Sequence, residues 1–296
     1  MSTKHLGIWI KVDREPAIVW AALTQKQQLE RWLGSEVELD AREGGRLHLV
    51  SGTPLISGDH VVRAAKPEQS LEIEWTIDGQ PTHVSFALAP DDGGTKLSFE
   101  VRYPAEHPFA VDPAIDDPGH LFAELWGYVL GLLKTYIELG SARPLLAPGR
   151  APDKAITHVA EIAASPARVF AAIDDPDEIK QWNKFAVAPK NDRRVGGRYS
   201  FGWKSEEAGT DGPGEIVEYE PGHRITYRWH GQPPMLVSWT VEPVPGSESA
   251  TRLTLVHSGF AIDRNLLVGW NLGWGGFVQK LSMWLERGAA PNWMGM

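Results

Sequence analysis

A histidine in the segment TRLTLVHSGF (251–260) is the polar residue best placed to do chemistry. Leu253, Leu255 and His257 alternate with other residues, so they share one face of a predicted strand. An imidazole titrates near neutral pH and can bind or protonate a ligand. A histidine among apolar neighbours is also often a hydrogen-bonded part of the core. The sequence leaves both interpretations of His257 open.

Two carboxylates, Asp59 and Glu215, each open a predicted strand directly after the dipeptide SG or PG. A carboxylate at the mouth of a cavity can act as a general base. The alternative is a solvated charge at a strand end. With His257 they are the candidate catalytic residues, although no Ser–His–Asp set and no pair of acids with informative spacing is visible.

The segment PAEHPFAVDPAIDDPGH (104–120) contains side chains that can bind metals, namely His107, Asp112, Asp116, Asp117 and His120. It has neither an HxH nor an HExxH pattern, so we expect no metal site and no cofactor. We expect instead that Asp117 caps the long helix that follows and that the loop covers a cavity rim as a lid.

Aromatic residues supply most of the candidate ligand-binding residues, and the chain contains 13 Trp. Apolar pockets with few polar groups are the usual form of a small-molecule site. Tryptophan needs a large buried surface, however, so these side chains could simply fill a core. The candidate ligand-binding residues are Trp229, Trp239, His257, Trp270, Trp274 and Phe277, with Trp75, Phe86 and Trp126 in the first half of the chain.

The composition excludes several classes of function. The net charge of −9 argues against a nucleic-acid interface and against electrostatic docking on anionic membranes. Because the chain has no cysteine, disulfides, thiolate zinc sites and a cysteine nucleophile are excluded. The first residues do not resemble a signal peptide, and no run of 18 apolar residues predicts a membrane span. We therefore expect a cytoplasmic protein.

The chain repeats itself at an offset of about 150 residues. A repeat of this length predicts two domains, 1–140 and 156–296, joined by a Pro- and Ala-rich linker at 141–155. In this alignment His257 corresponds to Val101. The matching segments are EPAIVWAAL (15–23) with SPARVFAAI (165–173), REGGRLHL (42–49) with RVGGRYSF (194–201), TKLSFEV (95–101) with TRLTLVH (251–257), and LWGYVLGLLKTYIELG (125–140) with GWGGFVQKLSMWLERG (273–288).

Each repeat has the same predicted order of elements. A strand is followed by two short helices, a series of alternating strands and one long helix with an apolar stripe. Period-two alternation over consecutive strands predicts an antiparallel sheet with one buried face. Three glycines at 273, 275 and 276 fall in the last helix, unless that helix starts after them. The fold class is α+β, with a curved sheet around a long C-terminal helix.

These segments resemble a known family. The stretch from SPARVFAAIDDPDEIKQW through RVGGRYSF, GEIVEYEPGHRITYRW and TRLTLVHSGF to WLERG is similar to the activator-of-heat-shock-protein-90-ATPase-like family. That family belongs to the START-like, or SRPBCC, helix-grip superfamily. The first half resembles it more weakly, because HSGF is absent and GEIVEYEP becomes GDHVVRAAKP. The resemblance implies two tandem helix-grip domains, each around an apolar pocket.

The resemblance leaves three functions open. The leading hypothesis is non-enzymatic binding of a small hydrophobic ligand, lipid-like or polyketide-like, with the better pocket in the second domain. The second is an enzyme, such as a polyketide cyclase or aromatase, that uses polar groups of the cavity. The third is a co-chaperone-like module with a protein partner. The sequence favours the first because it shows many aromatic residues and no catalytic constellation.

Overall fold

The computed structural model describes residues 2–34, 36–51, 56–77, 79–107, 120–140, 155–231, 235–260 and 264–288. These residues form two compact units, called unit 1 (within 2–140) and unit 2 (within 155–288) below. Apart from residue 155, the predicted linker lies outside the described residues.

Unit 1 contains one seven-stranded antiparallel sheet, in the order β1-β7-β6-β5-β4-β3-β2. Two short helices follow the first strand, and a long helix follows the last. The elements are β1 (Thr3–Val12), α1 (Pro16–Thr24), α2 (Lys26–Trp32), β2 (Glu36–Leu39), β3 (Arg46–Val50), β4 (Gly58–Lys66), β5 (Ser70–Ile77), β6 (Gln80–Asp91), β7 (Gly94–Pro104) and α3 (His120–Leu139).

Unit 2 contains a five-stranded antiparallel sheet, in the order β11-β12-β13-β14-β8, and a separate pair, β9 with β10. The elements are β8 (Ala155–Ile162), α4 (Pro166–Asp174), α5 (Pro176–Trp182), β9 (Lys190–Asn191), β10 (Tyr199–Ser200), α6 (Lys204–Ala208), β11 (Gly212–Glu220), β12 (Arg224–His230), β13 (Met235–Pro243), β14 (Thr251–Ser258) and α7 (Arg264–Arg287).

The two short helices are joined in the same way in both units. The indole Nε1–H of Trp32 donates to the carbonyl of Ala22 at 2.9 Å. Its counterpart Trp182 donates to Ala172 at 2.7 Å. Both indoles are buried, and each holds its second helix against the first. These tryptophans end two further matching segments of the repeat, LERW (29–32) and IKQW (179–182), so the repeat encodes the same tertiary contact twice.

The alternating strands bury one face of each sheet, as the period-two pattern predicts. On β12 the side chains of Ile225, Tyr227 and Trp229 are buried, and on β5 those of Leu71, Ile73 and Trp75. The long helix of each unit packs a tryptophan against this face. The predicted α+β fold, with an antiparallel sheet and a long C-terminal helix in each half, is confirmed.

The units differ where the chain leaves the Gly-Gly turn. In unit 1, β2 and β3 extend the sheet, whereas in unit 2 β9 and β10 pair only with each other. The pairing of β11 with β12 also shifts register at Pro213/Ile216. The inserted helix α6 was not predicted, because five residues are too few to display a helical period. Its Glu206 carboxylate accepts the backbone N–H of Phe201 at 2.9 Å.

The three glycines at 273, 275 and 276 lie inside α7, which starts at Arg264. The alternative in which the helix begins after them is wrong. Among the described helices, none combines the length and the apolar character needed to cross a membrane.

Candidate functional site

The candidate site of unit 2 lies between its sheet and α7. Five buried rings form what we call the central cluster: Trp229, Trp239, His257, Phe260 and Trp274. Three partly exposed rings beside it form what we call the rim: Trp203, Trp270 and Phe277. All six of the ligand-binding residues predicted in this half belong to one of these two groups.

Strand register brings the central cluster together. Trp229, Trp239 and His257 lie on three consecutive antiparallel strands, β12, β13 and β14, and each side chain belongs to the buried face. His257 is directly opposite Val237, which is directly opposite Tyr227. Trp239 and Trp229 lie two residues from Val237 and Tyr227 on the same face, diagonal to this row, and diagonal neighbours on adjacent strands are still within reach of aromatic side chains.

The ring of Trp274 is the centre of this cluster. Its centroid lies 5.2 Å from that of Trp229, 5.8 Å from Trp239 and 5.5 Å from Phe277, all in edge-to-face geometry. Edge-to-face pairs add about 0.5–1.5 kcal/mol each beyond the area that they bury. The cluster is therefore an aromatic wall made by both the sheet and the helix.

His257 is a neutral imidazole inside this wall. Its Nδ1 lies 2.8 Å from Nε1 of Trp274. An indole N–H can only donate, so Nδ1 accepts and the ring proton is on Nε2. Burial lowers the pKa of His257 to about 3, because the charged form loses its hydration. At neutral pH the residue is therefore a hydrogen-bond donor through Nε2.

That Nε2–H is buried, and within the described part of the chain it has no hydrogen-bond partner. Rings surround it: the centroids of Phe260, Trp229 and Trp270 lie 4.5, 5.4 and 5.4 Å from that of His257. An unsatisfied buried donor costs about 1–3 kcal/mol. Most buried polar groups in proteins are satisfied, so this one requires an explanation.

Side-chain hydrogen bonds fix two other rings of the cluster. Trp229 donates its Nε1–H to Oδ1 of Asp211 at 2.7 Å, and Trp239 donates to the hydroxyl of Tyr227 at 3.0 Å. Burial raises the pKa of the Asp211 carboxyl, with the Trp229 hydrogen bond acting in the opposite direction. The indole of Trp229 is thus held in place by a half-buried carboxylate.

Unit 1 has a similar aromatic arrangement without a counterpart of His257, although His60 stacks on Trp75 with centroids 4.7 Å apart. Trp126 packs on Trp75 and Phe99, with centroids 5.3 and 4.7 Å away, and Phe86 packs on Phe99 at 5.2 Å. Val101 lies where unit 2 has His257. The Nε1–H of Trp126 is consequently buried with no acceptor among the described residues.

A small apolar cavity of about 20 Å³ lies in the core of unit 1. It is roughly the size of one water molecule, and a cavity with so few polar groups stays dry. Its lining comes from the two short helices, the sheet and α3, and includes Leu29, Trp32, Trp75, Phe86 and Val129.

The two candidate carboxylates lie on exposed strand positions and pair with cations. Asp59 accepts Nε–H of Arg46 at 2.9 Å, and His48 Nδ1 lies 2.8 Å away. The hydrogen bond from Arg46, followed by that from His48, lowers the pKa of Asp59. Glu215 accepts Nε–H of Arg228 at 3.2 Å. Each carboxylate side chain is 54% exposed, so neither lies on the buried face of its own sheet.

The predicted metal-binding and lid segment is only partly described. His107 is buried, with its Nε2 3.1 Å from the carbonyl of Ile77. Asp112, Asp116 and Asp117 lie outside the described residues, and of His120 only its place at the start of α3 is described. Within the described ranges, no group of three or more His, Asp or Glu side chains could hold a metal ion.

Sequence reasoning missed three members of the site: Trp203, Asp211 and Phe260. Phe260 ends the HSGF segment, and its ring is the nearest to His257 in the structure. Trp203 follows the FG dipeptide in an otherwise polar stretch, which was a visible signal for a surface aromatic. The pairing of Asp211 with Trp229 spans 18 residues and had no sequence signal.

Comparisons with known proteins give a family and a set of similar structures. DynU16, from the dynemicin biosynthetic locus, is 14% identical over 94% of this chain and 97% of its own, with a TM-score of 0.40. The Aha1 dimer from Colwellia psychrerythraea is 23% identical over 45% of this chain and 97% of its own, with a TM-score of 0.38. Protein MLL2253 from Mesorhizobium loti is 27% identical over 44% of this chain and 97% of its own, with a TM-score of 0.36.

The comparison with curated proteins gives no match. The family model described as "Activator of Hsp90 ATPase homolog 1-like protein" matches residues 13–138 and again residues 163–286. Since the two matches cover most of the chain and follow its internal repeat, the protein belongs to the family of activator of Hsp90 ATPase homolog 1-like proteins and contains two tandem helix-grip domains.

Proposed function

We propose that unit 2 binds a small, largely apolar molecule between its sheet and α7, and that it does so without catalysing a reaction. The observation that supports this is the continuous aromatic surface from the rim to His257. Sites for small molecules are typically apolar and aromatic, with a few polar groups that set orientation. His257 and Asp211 are such groups in unit 2.

The rim offers a path to the central cluster. Trp203 packs on Trp229 with centroids 6.0 Å apart, and its Nε1–H donates to the carbonyl of Phe185 at 2.9 Å. Phe185 is 38% exposed and stacks at 6.3 Å on Phe277. A ligand that displaces these outer rings reaches the buried ones while aromatic contact is kept throughout.

The state of His257 favours binding over catalysis. A general base needs a free lone pair, but Nδ1 accepts from Trp274 and Nε2 carries the proton. A general acid needs a pKa near the working pH, and burial lowers that of His257 to about 3. Asp59 and Glu215 are exposed and paired with arginines. These features make the enzyme hypotheses the weaker ones.

Native mass spectrometry of the freshly purified full chain, followed by denaturing extraction, tests the proposal. We expect a co-purifying apolar molecule that is lost from Trp229→Ala and retained by Trp75→Ala, the matched change in unit 1. Circular dichroism establishes that both variants are folded. Retention of the molecule by both variants would place binding elsewhere. A protein that is clean and also fails to bind added apolar probes would contradict the proposal.

Protein interaction is a second candidate, supported by exposed apolar side chains on unit 2. Val187 is 68% exposed, Val195 61% and Phe185 38%. Exposed apolar residues can mark a docking surface. The family description names Hsp90 ATPase activation, so the test is the ATPase rate of a purified Hsp90 with and without this chain. Stimulation that Val187→Asp removes would favour this candidate, and an unchanged rate would exclude Hsp90 activation as its form.

A further inference from the structure

His257 has one hydrogen-bonding atom that the fold of unit 2 does not use. Its Nδ1 is occupied by the indole N–H of Trp274 at 2.8 Å. Its Nε2–H points away from Trp274 and is buried, and none of the described residues accepts it. A buried donor without an acceptor destabilises the folded state, and a ligand that accepts the proton removes that penalty.

The surroundings of this donor restrict what can pair with it. Four aromatic rings, those of Trp229, Phe260, Trp270 and Trp274, have centroids within 4.5–5.7 Å of the imidazole. A carboxylate or an ammonium beside Nε2 would lose its hydration among these rings, and the carboxylate of the site, Asp211, is already hydrogen-bonded to the indole N–H of Trp229. A cation or a donor group would also find no lone pair, because Nδ1 is already occupied. A neutral oxygen acceptor carries no charge that must be dehydrated, and it can accept the Nε2–H.

Resting on the proposed function, we infer that the molecule bound by unit 2 carries a neutral hydrogen-bond acceptor, in the first place a carbonyl oxygen, which accepts the Nε2–H of His257. The aromatic cluster binds the apolar body of the ligand. His257 then selects among apolar molecules of similar shape by the position of one oxygen.

Unit 1 supplies the control for this inference. Val101 has no polar atom, so the corresponding position in unit 1 offers no donor. The indole N–H of Trp126 is unpartnered among the described residues, and unit 1 nevertheless keeps the same fold. A His257→Phe variant would leave Trp274 in the same condition as Trp126, which indicates that unit 2 tolerates the change.

The test uses two flat bicyclic probes, 1-indanone and indane, which share a ring skeleton and differ by one carbonyl oxygen. The ¹⁵N-labelled full chain is titrated with each probe by NMR. In the wild-type protein we expect indanone, and not indane, to move the His257 Nε2–H proton resonance downfield. In His257→Phe we expect the Kd of indanone to rise about three- to tenfold, as for the loss of one net hydrogen bond. The Kd of indane should stay within about twofold.

The outcomes separate the inference from the proposed function. If both probes bind but the Nε2–H resonance does not respond to indanone, the inference is wrong and apolar binding stands. If His257→Phe raises the Kd of both probes equally, the inference is likewise wrong and apolar binding stands. If neither probe binds up to its solubility limit, the proposed function fails and the inference fails with it.

Discussion

At the scale of the residue, two corresponding tryptophans differ in whether their indole N–H has an acceptor. Trp274 donates its indole N–H to His257, whereas Trp126, its counterpart in unit 1, faces Val101 and has no acceptor within the described ranges. Both rings are buried and both pack on a strand tryptophan, Trp229 or Trp75. The difference between the two sites is thus one hydrogen bond in nearly the same aromatic setting.

This contrast predicts unequal effects of one substitution. Trp274→Phe and Trp126→Phe remove the same volume, but only the first breaks a hydrogen bond, and the second removes an unsatisfied donor. We expect Trp274→Phe to lower the free energy of unfolding of its unit by about 1–2 kcal/mol more than Trp126→Phe does. Urea denaturation followed by residue-resolved hydrogen exchange measures each unit separately. Equal losses in the two units would mean that the hydrogen bond from Trp274 to His257 does not stabilise unit 2.

The depressed pKa of His257 predicts a pH dependence of stability. Its pKa is about 3 when folded and 6.5 in the unfolded chain, so between these values the unfolded state binds more protons. The stabilising effect of neutral His257 is therefore complete above pH 6.5 and is lost as the pH falls. As the pH falls from 6.5 towards 3, we expect this residue to reduce the free energy of unfolding of unit 2 by up to about 1.4 kcal/mol per pH unit.

His257→Phe should remove this slope from unit 2, measured as urea midpoints between pH 7 and pH 4. His60 provides the control in unit 1, because burial lowers its pKa to about 4. His60→Phe should flatten the pH dependence of unit 1 alone. A slope in unit 2 that is the same with and without His257 would show that other groups cause it.

At the scale of the element, helix α7 includes three glycines in its interior. Apart from its chain neighbours and the backbone of its own helical turns, no described heavy atom lies within 4 Å of a Cβ built on Gly276, so a methyl group fits there. Gly276→Ala should therefore raise the free energy of unfolding of unit 2 by about 1 kcal/mol, the difference in helix propensity. Thermal or urea unfolding of the full chain measures the change, and a loss of stability would show that the helix is not formed at this position.

Gly209 is the matched control, because it has equal space around its Cβ but ends α6 in a left-handed conformation with φ of 69°. Gly209→Ala should destabilise unit 2 by about 1 kcal/mol. Opposite signs for the two substitutions would separate conformational strain from steric fit. The same sign for both would contradict the backbone conformation of one of them.

Local patterns were sufficient for the elements that repeat. Alternation gave the strands and their buried faces, and the duplicated LERW and IKQW segments gave the paired short helices. Helix α6 and the separate β9–β10 pair could not be predicted, because both depend on contacts such as Glu206 with the backbone of Phe201. The Trp274–His257 bond likewise depends on how α7 is placed on the sheet, which periodicity does not specify.

At the scale of the whole molecule, a duplicated fold carries two different interiors. Five Trp precede residue 150 and eight follow it, and the one fully buried histidine of the central cluster has valine as its counterpart. A ligand site typically needs a few polar groups among its apolar lining, and His257 supplies one in unit 2. We therefore expect the proposed binding function to belong to unit 2, the copy that contains His257.

This asymmetry predicts where a bound probe will be detected. In ¹⁵N spectra of the tryptophan indoles, titration with 1-indanone should move the Nε1–H signals of Trp229, Trp270 and Trp274. The signals of Trp75 and Trp126 should stay in place, because unit 1 has Val101 at the position of His257 and therefore lacks the imidazole donor. Binding should therefore saturate at one probe per chain. Equal shifts in both sets would mean that the aromatic wall common to the two units is enough for binding, and that His257 selects the ligand without deciding which unit binds it.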